Sequence, residues 1–172
     1  MIRKEKILFA ALKLFANEGY DATSTSKIAK AAQVSEGLIF RHFTNKKGLL
    51  EAILTESEKR VQQIFQPIIN ETDPKQVLRL TIEAPYQSKK KDFDFWRLVF
   101  KLKWDTNYNN PNKMNFVLEK LTESFQKLGY KNATNEAIML IQVVEAISIS
   151  IVRAEGLDVE SFKQFLFEKY QV

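Results

Sequence analysis

Apolar residues in this 172-residue chain recur every three or four positions over long stretches, the spacing that lines one face of a helix. Only 5 Gly and 4 Pro are present to build tight turns, which disfavours an all-β sandwich or a nucleotide-binding α/β fold. An all-α fold of about nine helices is expected instead. With 45% hydrophobic and 27% charged residues the chain can bury a real core and does not read as disordered.

The periodicity predicts helices at about 3–18, 25–32, 36–43 and 46–70, then one opening at Pro74 and ended or kinked by Pro85, then 92–104, 112–128, 134–153 and 159–170. Gly19 suits a left-handed cap on the first helix, whose apolar positions are Ile7, Leu8, Ala11, Leu12, Leu14 and Phe15. Ser24 and Ser35 are placed to cap the second and third helices through their hydroxyls. Ile28, Ala29 and Ala32 make the inner face of the second helix, and Val34, Ile39 and Phe43 that of the third. Two helices of about eight residues, separated by the three residues 33–35 and crossing at small Ala, form a helix-turn-helix. The expected domains are a helix-turn-helix head at 1–46 and a helical body at 47–172.

The net charge of +5 is concentrated. Residues 1–50 hold nine cations (Arg3, Lys4, Lys6, Lys13, Lys27, Lys30, Arg41, Lys46, Lys47) against four anions (Glu5, Glu18, Asp21, Glu36), and the remainder balances at 17 of each sign. A basic head on a polyanion and a neutral body with another task is the pattern this implies. Cysteine is absent and histidine occurs once, which excludes disulfides, thiol chemistry, Cys/His metal sites and any Ser-His-Asp triad without His42. Neither an enzyme nor a bound cofactor or metal is expected. The charged start, Met1-Ile2-Arg3-Lys4-Glu5-Lys6, is unlike a secretory signal, and no charge-free apolar window reaches about 18 residues, so the expectation is a cytoplasmic protein with no membrane span. A membrane-surface role for 1–18 is disfavoured, because the apolar face of that helix is needed to complete the head.

The stretch 23–50 contains the pair Ile28-Ala29, the turn Val34-Ser35-Glu36-Gly37, the ending Phe40-Arg41-His42-Phe43, and Lys46 followed by Leu49-Leu50. It resembles the DNA-binding signature of the TetR/AcrR family of transcriptional regulators, and with the first helix the resemblance covers about residues 3–54. Three positions depart from the family pattern. Gln33 stands where Gly is usual, Phe40 where Tyr is common, and Leu38 where Thr is frequent and faces the DNA. The first must accept a backbone geometry at steric cost, and the other two should alter affinity and sequence preference.

The resemblance implies that the third helix enters the major groove while its flanks hold phosphates. Gly37 would permit close approach, Leu38 could meet a thymine methyl, and Arg41 could take guanine or a phosphate. Glu36 could accept from cytosine or be a charge near a helix start. His42 is expected against the phosphate backbone. Ser24, Thr25, Ser35, Phe40, Lys46 and Lys47 complete the expected DNA surface with Lys27, although Lys27 and Lys47 could equally be solvated lysines. Family members dimerise through their last two large helices and bind ligands inside the body. A homodimer through about 134–170 on a palindromic operator is therefore expected, and the many apolar residues of 134–153 and 159–170 agree with it. A cavity lined by Tyr86, Trp96, Phe100, Trp104, Phe116 and Met139 would hold a small hydrophobic effector, although an aromatic stripe is more often packed core. Gln142, Glu145 and Ser148 could bond that ligand, the other subunit, or a neighbouring helix such as the one bearing Arg97. The reading is a repressor released by its ligand. The rival is an architectural or partner-recruiting DNA-binding protein with the same head and no effector.

Overall fold

The computed structural model describes residues 3–103, 115–154, 156 and 158–172. Among the described residues there are nine α-helices and no strand: α1 (Arg3–Glu18), α2 (Thr25–Ala32), α3 (Glu36–Phe43), α4 (Lys46–Asn70), α5 (Pro74–Glu83), α6 (Phe93–Lys103), α7 (Asn115–Lys127), α8 (Ala133–Arg153) and α9 (Val159–Tyr170). Pro85 ends α5 as the sequence predicts, and the chain continues as a short 3-10 turn, Ala84–Gln87.

Helix boundaries follow local chemistry. Gly19 turns the chain out of α1 at φ 97°, and Gly129 follows α7 at φ 81°. The Asp73 carboxylate accepts the Lys75 and Gln76 amides at the start of α5, and Asp158 accepts the Ser161 amide at the start of α9.

The chain forms two compact units. The first takes in described residues 3–61 and 91–103. Its core is Ile7, Ala11, Phe15, Ile28, Ile39, Phe43, Leu49, Leu50 and Ile53, closed by Leu98 and Leu102 of α6. This differs from the boundary expected at residue 46. Two eight-residue helices and α1 enclose too little apolar volume alone, and α6 supplies the missing cover. It is fastened by more than burial: the Lys101 ammonium donates to the Ala16 and Asn17 carbonyls at 2.5 and 3.3 Å, and Arg97 donates to Asn17 Oδ1 at 3.1 Å.

The two apolar stripes of α6 have different surroundings. Phe95, Leu98 and Leu102 point inward, whereas Trp96 and Phe100 are half-buried and stack on each other with centroids 6.2 Å apart. Trp104 lies outside the described residues.

The second unit takes in 62–90 and 115–172 of the described chain. Ile68, Leu78, Ile82, Leu121, Phe125, Leu140, Ile147 and Leu166 form its core, with Phe125, Tyr130 and Tyr170 clustered ring against ring. The Tyr86 hydroxyl donates to the Val159 carbonyl at 2.5 Å, and burial together with the charge of Glu160 pushes its pKa up to about 12. By length and composition α8 could cross a membrane, yet only 22% of that stretch is buried within the chain. Ile138 and Met139 on α8 and Phe165 on α9 are exposed.

Candidate nucleic-acid interface

The geometry of the head begins with a glycine-like turn made without glycine. Gln33 sits in the left-handed region at φ 56° and ψ 48°, and its amide donates back to the Ala29 and Lys30 carbonyls, closing α2. The Ser24 hydroxyl accepts the Lys27 amide at 3.2 Å and caps the other end. Ser35 occupies the N-cap position of α3 with extended backbone, but its side chain makes no capping bond. This departs from the expected cap and leaves the hydroxyl available to an outside acceptor.

Across α3 the residues divide by helical angle. Ile39 and Phe43 are buried, four residues apart on the inner face, and Val34 packs beside them. Gly37, Phe40, Arg41 and His42 are exposed on the outer side, and Leu38 is half-buried against the head core. The fold thus brings Ser35, Gly37, Leu38, Phe40, Arg41 and His42 onto one short helix and its cap. Ser24, Lys27 and Lys47 are exposed as well.

Three expected contacts are already engaged inside the protein. The Thr25 hydroxyl donates to Glu36 Oε1 at 2.5 Å, tying α2 to α3. That bond uses the proton Thr25 would give a phosphate and one of the two carboxylate oxygens of Glu36. The Lys46 ammonium donates to the Tyr20 and Thr23 carbonyls at 3.0 and 3.2 Å and lies 4.3 Å from the Tyr20 ring centroid. Lys46 therefore fastens the connector after α1 rather than standing ready for DNA. Lys27 pairs with Glu18 at 2.5 Å and Lys47 with Glu51 at 3.8 Å, both in solvent where such pairs exchange readily for phosphate.

Sequence reasoning missed Gly48 and Asn45. A Cβ at Gly48 would collide with the Phe43 carbonyl oxygen, so the start of α4 can approach the end of α3 only without a side chain there. Asn45 Oδ1 accepts the Gly48 amide at 2.8 Å. An Asn three residues before the capped amide is the N-cap spacing, and that was the available signal.

Residues 7–53 match the family model described as bacterial regulatory proteins, tetR family. Over most of its length, the chain is 30% identical over 152 residues to the HTH-type transcriptional regulator QacR of Staphylococcus aureus (strain Mu50), covering 84% of this chain and 78% of QacR. The chain belongs to the TetR family.

The fold agrees with solved TetR-like structures. A TetR-like transcriptional regulator from Rhodococcus sp. RHA1 aligns with TM-score 0.85 at 18% identity, over 99% of this chain and 94% of that one. The transcriptional regulator FadR of Bacillus subtilis, solved in complex with stearoyl-CoA, aligns with TM-score 0.67 at 20% identity, over 96% of each. Curated relatives are matched over 28% to 78% of their own length. As a TetR-family protein the chain is a DNA-binding transcriptional regulator with a helix-turn-helix at α2–α3.

The residues expected to line one effector cavity are divided between the units. Trp96 and Phe100 belong to the first, whereas Tyr86, Phe116, Met139, Gln142 and Glu145 belong to the second. Arg97, a suggested partner for the polar residues of α8, is instead engaged with Asn17 and Asp94 in the first unit. Met139 and Gln142 lie exposed on α8. Phe116, also exposed, meets Phe65 edge to face at 6.1 Å.

Proposed function

We propose that the chain acts as a homodimeric, cytoplasmic repressor that binds a palindromic operator and lets go when a small hydrophobic ligand binds. The observation that carries this is the outer side of α3, where Gly37, Phe40, Arg41 and His42 are exposed while the inner side is sealed in the head core. A helix so fixed can present side chains to base edges in the major groove while Ser24, Ser35, Lys27 and Lys47 take phosphates.

The apolar residues of α8 and α9 support a dimer. Ile138 and Met139 on α8 and Phe165 on α9 are exposed apolar residues that a second copy of the chain could cover. We assign Met139 and Gln142 to that interface. For the effector we favour a hydrophobic molecule, because the similar FadR was solved with stearoyl-CoA, and Phe116 is an exposed aromatic of the second unit that could meet it. Binding would shift the population between head spacings that do and do not fit the operator, with α4 as the link, since its residues 46–61 belong to the first unit and 62–70 to the second.

Genome-wide mapping of bound DNA tests the reading. A few sharp peaks sharing an inverted repeat are expected, and broad coverage without a common sequence would overturn it. Sedimentation of Ile138→Glu is the companion test: the wild-type chain should run as a dimer and the variant as a monomer of unchanged helicity.

A further inference from the structure

A phenyl ring held in water calls for an apolar partner. Phe40 is 44% exposed, lies on the outer side of α3 next to Arg41, and has no hydroxyl with which to bond a phosphate. One turn earlier on the same side is Gly37, where an added Cβ would meet nothing within 4 Å. Among the described residues no neighbour demands glycine there, in contrast to Gly48, and glycine weakens a helix. A bare Gly37 followed by an exposed Phe40 suits a surface that comes very close to α3 and offers an apolar group one turn along. Among the groups that base pairs present in the major groove, the apolar one is the C5-methyl of thymine.

We infer that Phe40 is a specificity-determining residue that recognises thymine by its methyl group, with Gly37 allowing α3 to approach closely enough for the contact. This rests on the DNA-binding reading above and names what that site selects. Leu38 is half-buried against the head core and is the lesser apolar reader. Glu36, the polar reader on the same helix, has one carboxylate oxygen bonded to Thr25.

The test uses the full chain and duplexes that it selects from a random pool. Each thymine of the enriched site is replaced in turn by deoxyuridine, which removes only the methyl. At one or more thymines in each half-site, the replacement should weaken wild-type binding by about fourfold, the worth of one buried methyl group. The same replacement should have no effect on Phe40→Ala or on the polar Phe40→Gln, both compared with wild type by thermal midpoint. Equal penalties in wild type and variants, or no penalty at any thymine, would overturn the inference while leaving DNA binding intact. The second pattern is what packing against deoxyribose would give. A pool that enriches no sequence would overturn the DNA-binding reading itself.

Discussion

Two glycines in the head do opposite jobs. At Gly48 the Phe43 carbonyl occupies the space of a side chain, so Gly48→Ala should lower the stability of the first unit by about 1–3 kcal/mol, the usual cost of overpacking, read as a fall in the urea midpoint. Gly37 faces open space, so Gly37→Ala should leave stability unchanged or raise it by up to about 1 kcal/mol while weakening operator binding. Lys46 and Lys47 separate in the same way. Lys46 is spent on backbone carbonyls, whereas Lys47 is exposed and pairs with Glu51. In a plot of log affinity against log salt, Lys47→Ala should reduce the slope by about one, and Lys46→Met should leave the slope intact while lowering thermal stability. The opposite assignment would show Lys46 to be the phosphate contact.

At the scale of elements, the helix order and nearly every boundary could be read from periodicity and caps, because those signals are local. The partner of α6 could not. Its sequence, Phe93 to Lys103, carries two apolar stripes, Phe93/Trp96/Phe100 and Phe95/Leu98/Leu102, and periodicity alone cannot say which faces inward. Packing against α1 decides for the second. Truncating Leu98 to Ala should therefore destabilise the head by about 2–5 kcal/mol, measured by urea unfolding, although it lies far from the helix-turn-helix in sequence. Engagement of Thr25, Glu36 and Lys46 was equally hidden, since a hydrogen bond between α2 and α3 depends on their crossing geometry. In the second unit Tyr86 holds the start of α9 through the Val159 carbonyl. Its folded pKa of about 12 lies above the ordinary 10.0, so its contribution is complete below pH 10 and is lost as pH rises through 12. The unfolding midpoint should fall over that window, and by less in Tyr86→Phe.

Over the whole molecule, the charge and apolar distributions divide the work. The basic excess lies in residues 1–50, which carry α1 to α3, while the balanced remainder carries the exposed apolar residues of α8 and α9. The first distribution suits a polyanion and the second a copy of the same chain. The central claim is that the outer side of α3 binds the operator. Its most direct test is the affinity of Arg41→Ala for the selected duplex by fluorescence anisotropy, alongside its thermal midpoint. Arg41 is exposed, so the midpoint should not move, and affinity should fall by about tenfold or more, the worth of one good base contact. Unchanged affinity at unchanged stability would contradict the account.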